Sequence, residues 1–93
     1  MSKRAIREID RASAWWRTHR EKAPHAFDDD TNAAFESLRV NPNVGKPLRA
    51  RRPGVRSLWL ERIGYFVYYR IHDDGMVMVL AIWHAARGSR PKL

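Results

Sequence analysis

The chain predicts an α+β fold, an N-terminal helical hairpin packed on a small antiparallel β-sheet, and three features carry that expectation. Ala5, Ile9, Ala12 and Trp16 recur at spacings of four, three and four, the stripe of one helical face. From Val55 onward the apolar period changes to two, as in strands. Asp73-Asp74-Gly75 then supplies a strong hairpin signal between two strand-like runs.

The first stripe predicts a helix over residues 4–21, ended by the break at Pro24. Asp28-Asp29-Asp30 suits a helix start, where unpaired amides and the positive dipole end favour carboxylates, so a second helix is expected over 28–39 with Phe35 and Leu38 buried. Asn41 to Pro53 carries three prolines, Gly45 and no periodicity, and reads as a long mobile loop ending in Arg49-Ala50-Arg51-Arg52. Strands follow at 55–61, 65–71 and 76–83, with Gly64 and Asp73-Asp74-Gly75 at the turns. In the first strand Leu58 and Leu60 point one way, Ser57 and Trp59 the other. The last strand is apolar on both sides, with Met76, Met78, Leu80 and Ile82 on one and Val77, Val79, Ala81 and Trp83 on the other, as expected of a covered central strand.

At 93 residues the chain has room for one modest core, so residues 1–93 are expected to form one domain. With 44% hydrophobic residues it has the material to fold. Eighteen Lys plus Arg against ten Asp plus Glu give +8, which points to anionic partners: nucleic acid, an acidic protein or a phosphate-rich surface. The absence of cysteine excludes disulfide scaffolds, thiolate zinc sites and cysteine nucleophiles, and neither metal nor cofactor is expected. The basic N-terminus leads into no apolar stretch and Met76 to Trp83 is too short to span a bilayer as a helix, so a cytoplasmic protein without membrane contact is expected.

Two helices cover only one face of a small sheet, and the other would then display Trp59, Phe66 and Tyr68, with Arg70 beside them. Such an apolar, ring-rich face is expected to dock a partner. The alternative cover is the C-terminal tail, Ala85 to Leu93, folded back over it.

In order and spacing, Ala14-Trp15-Trp16-Arg17 with His19-Arg20, Asn41-Pro42-Asn43-Val44-Gly45, Val55-Arg56-Ser57-Leu58, Gly64 to Ile71 and Ile82-Trp83-His84-Ala85-Ala86-Arg87 resemble the RelE/ParE superfamily of type II toxin-antitoxin toxins. The resemblance covers most of the chain and implies a small basic bacterial toxin with this fold, a cognate antitoxin and a toxin-antitoxin hetero-oligomer. Such toxins usually open with a β-strand, whereas this chain starts in helical spacing. A sheet edge is therefore expected to lie open for a partner to complete.

The resemblance leaves two mechanisms. The ribonuclease branch cuts mRNA at the ribosome without metal, using converging cations and a tyrosine. Positions where that branch carries lysines or arginine read here as Ser57, Trp59 and Phe66, while Arg87 matches a catalytic position and no tyrosine follows it. His84 is a second candidate, since imidazole titrates near neutral pH. The ParE branch binds and poisons DNA gyrase by protein contact, and both the aromatic face and Trp83-His84-Ala85-Ala86-Arg87 fit it better. A third outcome is a plain nucleic-acid-binding module: Arg49, Arg51, Arg52, Arg56 and Arg62 are candidate contacts within residues 46–62, whose six basic and one acidic side chains net +5.

Overall fold

The computed structural model describes all residues, Met1–Leu93. Helix α1, Lys3–His19, is started by Ser2, whose Oγ accepts from Ala5 N at 3.0 Å. A cap of this kind contributes about 1 kcal/mol. Its stripe lands as expected: Ala5, Ala12 and Trp16 are buried and Ile9 packs against the same core. Helix α2, Ala26–Val40, begins two residues earlier than the sequence implied, which puts Asp28 and Asp29 inside the first turn, where the helix dipole favours them. Phe27, Ala34 and Leu38 are its buried apolar anchors, and the buried Thr31 hydroxyl is satisfied by donating to Phe27 O at 2.9 Å.

The segment expected to be a mobile loop is instead tied down. Pro42–Val44 forms a single 3-10 turn, and Lys46–Pro47 forms a short strand, β1. The fully buried Tyr69 organises both: its hydroxyl accepts from Gly45 N at 2.8 Å and donates to Pro42 O at 2.7 Å. The approach leaves no room for a side chain, since a Cβ on Gly45 would lie 2.5 Å from that hydroxyl and 2.9 Å from Ser57 O.

Strands β2 (Val55–Leu60), β3 (Tyr65–Ile71) and β4 (Val77–His84) follow, within a residue of expectation at each end. All pairings are antiparallel, in the order β1-β2-β3-β4. The core lies between the helices and one sheet face, where Val67, Tyr69, Val79 and Ile82 meet Trp16, Phe27 and Leu38.

The faces of β4 differ from the alternation read in the sequence. Tyr68 pairs with Ala81 but Tyr69 with Val79, so Leu80 is an extra, bulged residue. The bulge shifts the alternation: Val77, Val79 and Ile82 join the helix-side core. Ala81 and Trp83 stand on the far face opposite Tyr68 and Phe66, and Met76 lies before the strand, exposed.

The expected open edge is also partly closed. At the outer edge of β4, Ser2 N donates to Val79 O at 2.9 Å, Ser2 Oγ donates to Leu80 O at 3.0 Å, and Ile82 N donates to Glu8 Oε1 at 3.0 Å. The N-terminal segment and α1 thus satisfy backbone groups that a missing strand would have paired. At the opposite edge stands β1, where Pro47 has no N–H to offer a neighbour.

Candidate functional site

Two surfaces gather the chemistry-bearing side chains. On the sheet face away from the helices, Trp59, Phe66 and Tyr68 form an aromatic row with ring centroids 4.7 and 5.8 Å apart. Trp59 is 45% exposed, whereas Tyr68 is only 4% exposed because the C-terminal tail folds back over this half of the face. After Gly88, whose φ of 75° turns the chain, Ser89 O accepts from Trp83 Nε1 at 2.6 Å and Pro91 is buried. Arg4 donates to Lys92 O at 2.8 Å and Arg52 to Leu93 O at 3.1 Å. The far face is therefore part covered, and its open portion is the Trp59–Phe66 end.

Between the tail and β1 the same face holds a hollow of about 380 Å³ floored by Ser57, Phe66, Tyr68 and Trp83. Two cations, Lys46 and Arg90, line it. Burial pushes the Tyr68 phenol above its ordinary range, and Arg90 partly opposes this. Stabilising a crowded phosphate in a transition state calls for several converging donors, and this hollow assembles only that pair.

The second surface escaped the sequence. A cleft of about 700 Å³ opens between the C-terminal half of α1 and the adjoining ends of β3 and β4. Trp15, Trp16, Ile63, Tyr65 and Ile82 form its apolar part, and Arg11, Arg20, Arg62, His84 and Arg87 its cationic and imidazole part. The adjacent tryptophans divide as helical geometry demands, Trp15 42% exposed and Trp16 9%, with Arg20 spread over both rings at 5.1 and 5.5 Å. Burial pushes the Tyr65 phenol up, while the facing Trp16 indole and the Arg87 guanidinium pull the other way. That indole N–H closes no hydrogen bond of usable geometry, and Trp16 Nε1 is the one buried side-chain polar atom without a partner. The signal was present as Trp15-Trp16 followed by His19-Arg20, but nothing local to those residues says that His84 and Arg87 come to meet them.

The remaining expected site residues are dispersed. Arg62 makes a two-point contact with Asp30 at 2.6 and 3.0 Å, which holds its already high pKa higher still. Arg56 donates to Gly45 O at 2.7 Å and to Asn43 O at 3.1 Å, and Arg70 donates to Pro53 O at 2.8 Å. With Arg52 on the tail, only Arg49 and Arg51 of the five candidate arginines stand exposed without a hydrogen bond to the protein. His84 Nδ1 accepts from Ala86 N at 3.1 Å, so the neutral ring carries its proton on Nε2. The Arg87 guanidinium lies 3.6 Å over the Trp83 ring. No cluster of His, Cys, Asp or Glu is arranged to hold a metal ion, and no helix is long and apolar enough to cross a membrane.

Two helices laid on an antiparallel meander, with an aromatic far face and a basic surface, define the class: the toxin of a bacterial type II toxin-antitoxin system. The chain belongs to the ParE toxin family, described as the ParE toxin of the type II toxin-antitoxin system parDE, whose family model matches residues 1–88. Among solved structures it resembles the chromosomal ParDE toxin-antitoxin system of P. aeruginosa, at 25% identity and a TM-score of 0.69 over 89% of both chains. No curated protein matches the chain closely enough to stand as a relative.

Proposed function

We propose that this chain halts bacterial growth by binding DNA gyrase through protein contact and trapping it on broken DNA, and that a cognate antitoxin neutralises it in the cytoplasm as a hetero-oligomer. Its far face grips polypeptide rather than cutting RNA. The observation that carries this is the composition of that face: Trp59 exposed, Phe66 half-buried beside it, and a hollow bounded by Lys46 and Arg90 alone among cations. Large rings in a desolvated patch supply most of the affinity in protein interfaces, and surrounding charge speeds encounter. Membership of the ParE family supports the antitoxin partner and gives gyrase as the first target to test.

The test is tightly controlled expression, followed by gyrase supercoiling with cleavage-complex trapping and by mRNA cleavage in a reconstituted translation mixture. Gyrase poisoning without mRNA cleavage is expected. Cuts in the ribosomal A site that disappear in Arg87→Ala would replace this function with the ribonuclease one. Harmless expression together with steeply salt-dependent nucleic-acid binding would leave only a binding module.

A further inference from the structure

Strand register builds the hollow on the far face. Lys46 stands opposite Ser57, Ser57 opposite Tyr68 and Tyr68 opposite Ala81, so these four side chains form one row across the sheet. Ser57 and Ala81 are short, which leaves a trough on both sides of the Tyr68 ring. Two residues back along β3, roughly 7 Å away, runs a row of rings, Trp59–Phe66–Trp83. The tail closes the trough: Gly88 turns the chain and sets Ser89 and Arg90 on its rim. The ParE family match ends at residue 88, so this wall lies outside it.

The free polar groups here can all donate. The Tyr68 hydroxyl makes no hydrogen bond within the chain although its side chain is almost wholly buried, and it is not among the sealed atoms, so the surface it keeps faces the hollow it floors. A buried phenol ordinarily finds a partner. Lys46 and Arg90 enter none of the chain's three ion pairs, and no carboxylate lines the hollow.

We propose that this hollow binds a nucleoside 5′-monophosphate, with the phosphate held between Lys46 and Arg90 and accepting from the Tyr68 and Ser57 hydroxyls, and the base lying on Phe66 beside Trp59. The volume of about 380 Å³ falls within the range of small-ligand sites, about 300–1,000 Å³. Inorganic phosphate would use only the polar row and a neutral flat ligand only the rings, whereas a nucleotide uses both. Holding a phosphate monoester in its ground state needs only these few donors, unlike the crowded transition state of strand cleavage. The inference does not rest on gyrase being the target, although an occupied Phe66 would withdraw part of the face proposed for that contact.

Titration calorimetry of the whole chain tests it with adenosine 5′-monophosphate, adenosine, ribose 5-phosphate and inorganic phosphate as probes. The nucleotide is expected to bind at least about tenfold more tightly than any of the other three. Arg90→Gln and Tyr68→Phe should each weaken the nucleotide about tenfold and leave adenosine unchanged. The hydroxyl removed by Tyr68→Phe bonds nothing within the chain, so the melting temperature of that variant should stay put. Arg49→Gln, which removes an exposed arginine away from the hollow, should have no effect on the nucleotide. Amide signals of Ser57, Tyr68 and Ser89 should shift with the same saturation curve. Absence of saturable binding, equal binding of adenosine or ribose 5-phosphate, or unchanged affinity in Arg90→Gln and Tyr68→Phe overturns the site. So does an equal loss in Arg49→Gln, which would reduce the effect to net charge. An oligonucleotide lacking a terminal phosphate that binds as tightly as the nucleotide would make this a strand-binding surface and equally end the proposal.

Discussion

Removing one oxygen, by Tyr69→Phe, tests how the segment before β2 is held. The ring stays in the core, so the loss is confined to two hydrogen bonds, from Gly45 N at 2.8 Å and to Pro42 O at 2.7 Å. The buried Gly45 N–H would lose its partner, at about 1–3 kcal/mol, while the half-buried Pro42 carbonyl can turn to water and forfeits about 0.5–1 kcal/mol. Together these come to about 1.5–4 kcal/mol, a large part of the 5–15 kcal/mol typical of a small domain. For a chain of this size each kcal/mol lowers the melting temperature by about 4–8 °C, so a fall of roughly 6–30 °C is expected. Thermal melts by circular dichroism and urea titration measure it, with the urea m-value unchanged. A loss below about 0.5 kcal/mol would mean that the Pro42–Pro47 segment is not held through this hydroxyl.

Gly45→Ala should be destabilising by about 1–3 kcal/mol through the clash with the same hydroxyl and with Ser57 O, and should combine with Tyr69→Phe non-additively in a double-mutant cycle. Burial raises the phenols of Tyr65, Tyr68 and Tyr69, so the unfolded chain releases those protons first; stability is fully present below about pH 10 and falls above it, as urea midpoints between neutral and alkaline pH would record. Trp59→Ala should lower gyrase inhibition at least about tenfold while costing under about 1 kcal/mol in stability, and undiminished inhibition would remove Trp59 from the contact. Truncation after Arg87 frees Trp83 Nε1, Arg4 and Arg52 from the tail, so Trp83 emission should shift to the red and Tyr68 become accessible to a tyrosine-modifying reagent; an unchanged spectrum would show that the tail is not seated.

Local pattern foretold what is decided locally. The α1 stripe was legible because Ala5, Ile9, Ala12 and Trp16 all face one core, and β3 because a run of aromatic and β-branched residues stands between Gly64 and Asp73. The β4 faces were misassigned because a bulge at Leu80 depends on how β3 and β4 settle against the helices, which no alternation count reveals. The loop before β2 looked free because its restraints, Tyr69 and Arg56, act from across the sheet. For the same reason five arginines near one another in sequence resembled a phosphate patch, although Arg62 belongs to Asp30, Arg56 to the Asn43 and Gly45 carbonyls, and Arg52 to the tail. The aromatic row was legible from strand parity alone, but the cleft was not, since it joins the two ends of the chain.

The way β4 receives the N-terminal segment has a consequence for synthesis in the cell. Ser2 and Glu8 are made some seventy residues before the backbone groups they seal, at Val79, Leu80 and Ile82. Until then α1 is an amphipathic helix with no strand to lie on, and such helices are marginal alone in water. A partly made chain that still lacks β4 therefore has neither recess nor sealed margin, and α1 takes its place only once that strand is available to receive it.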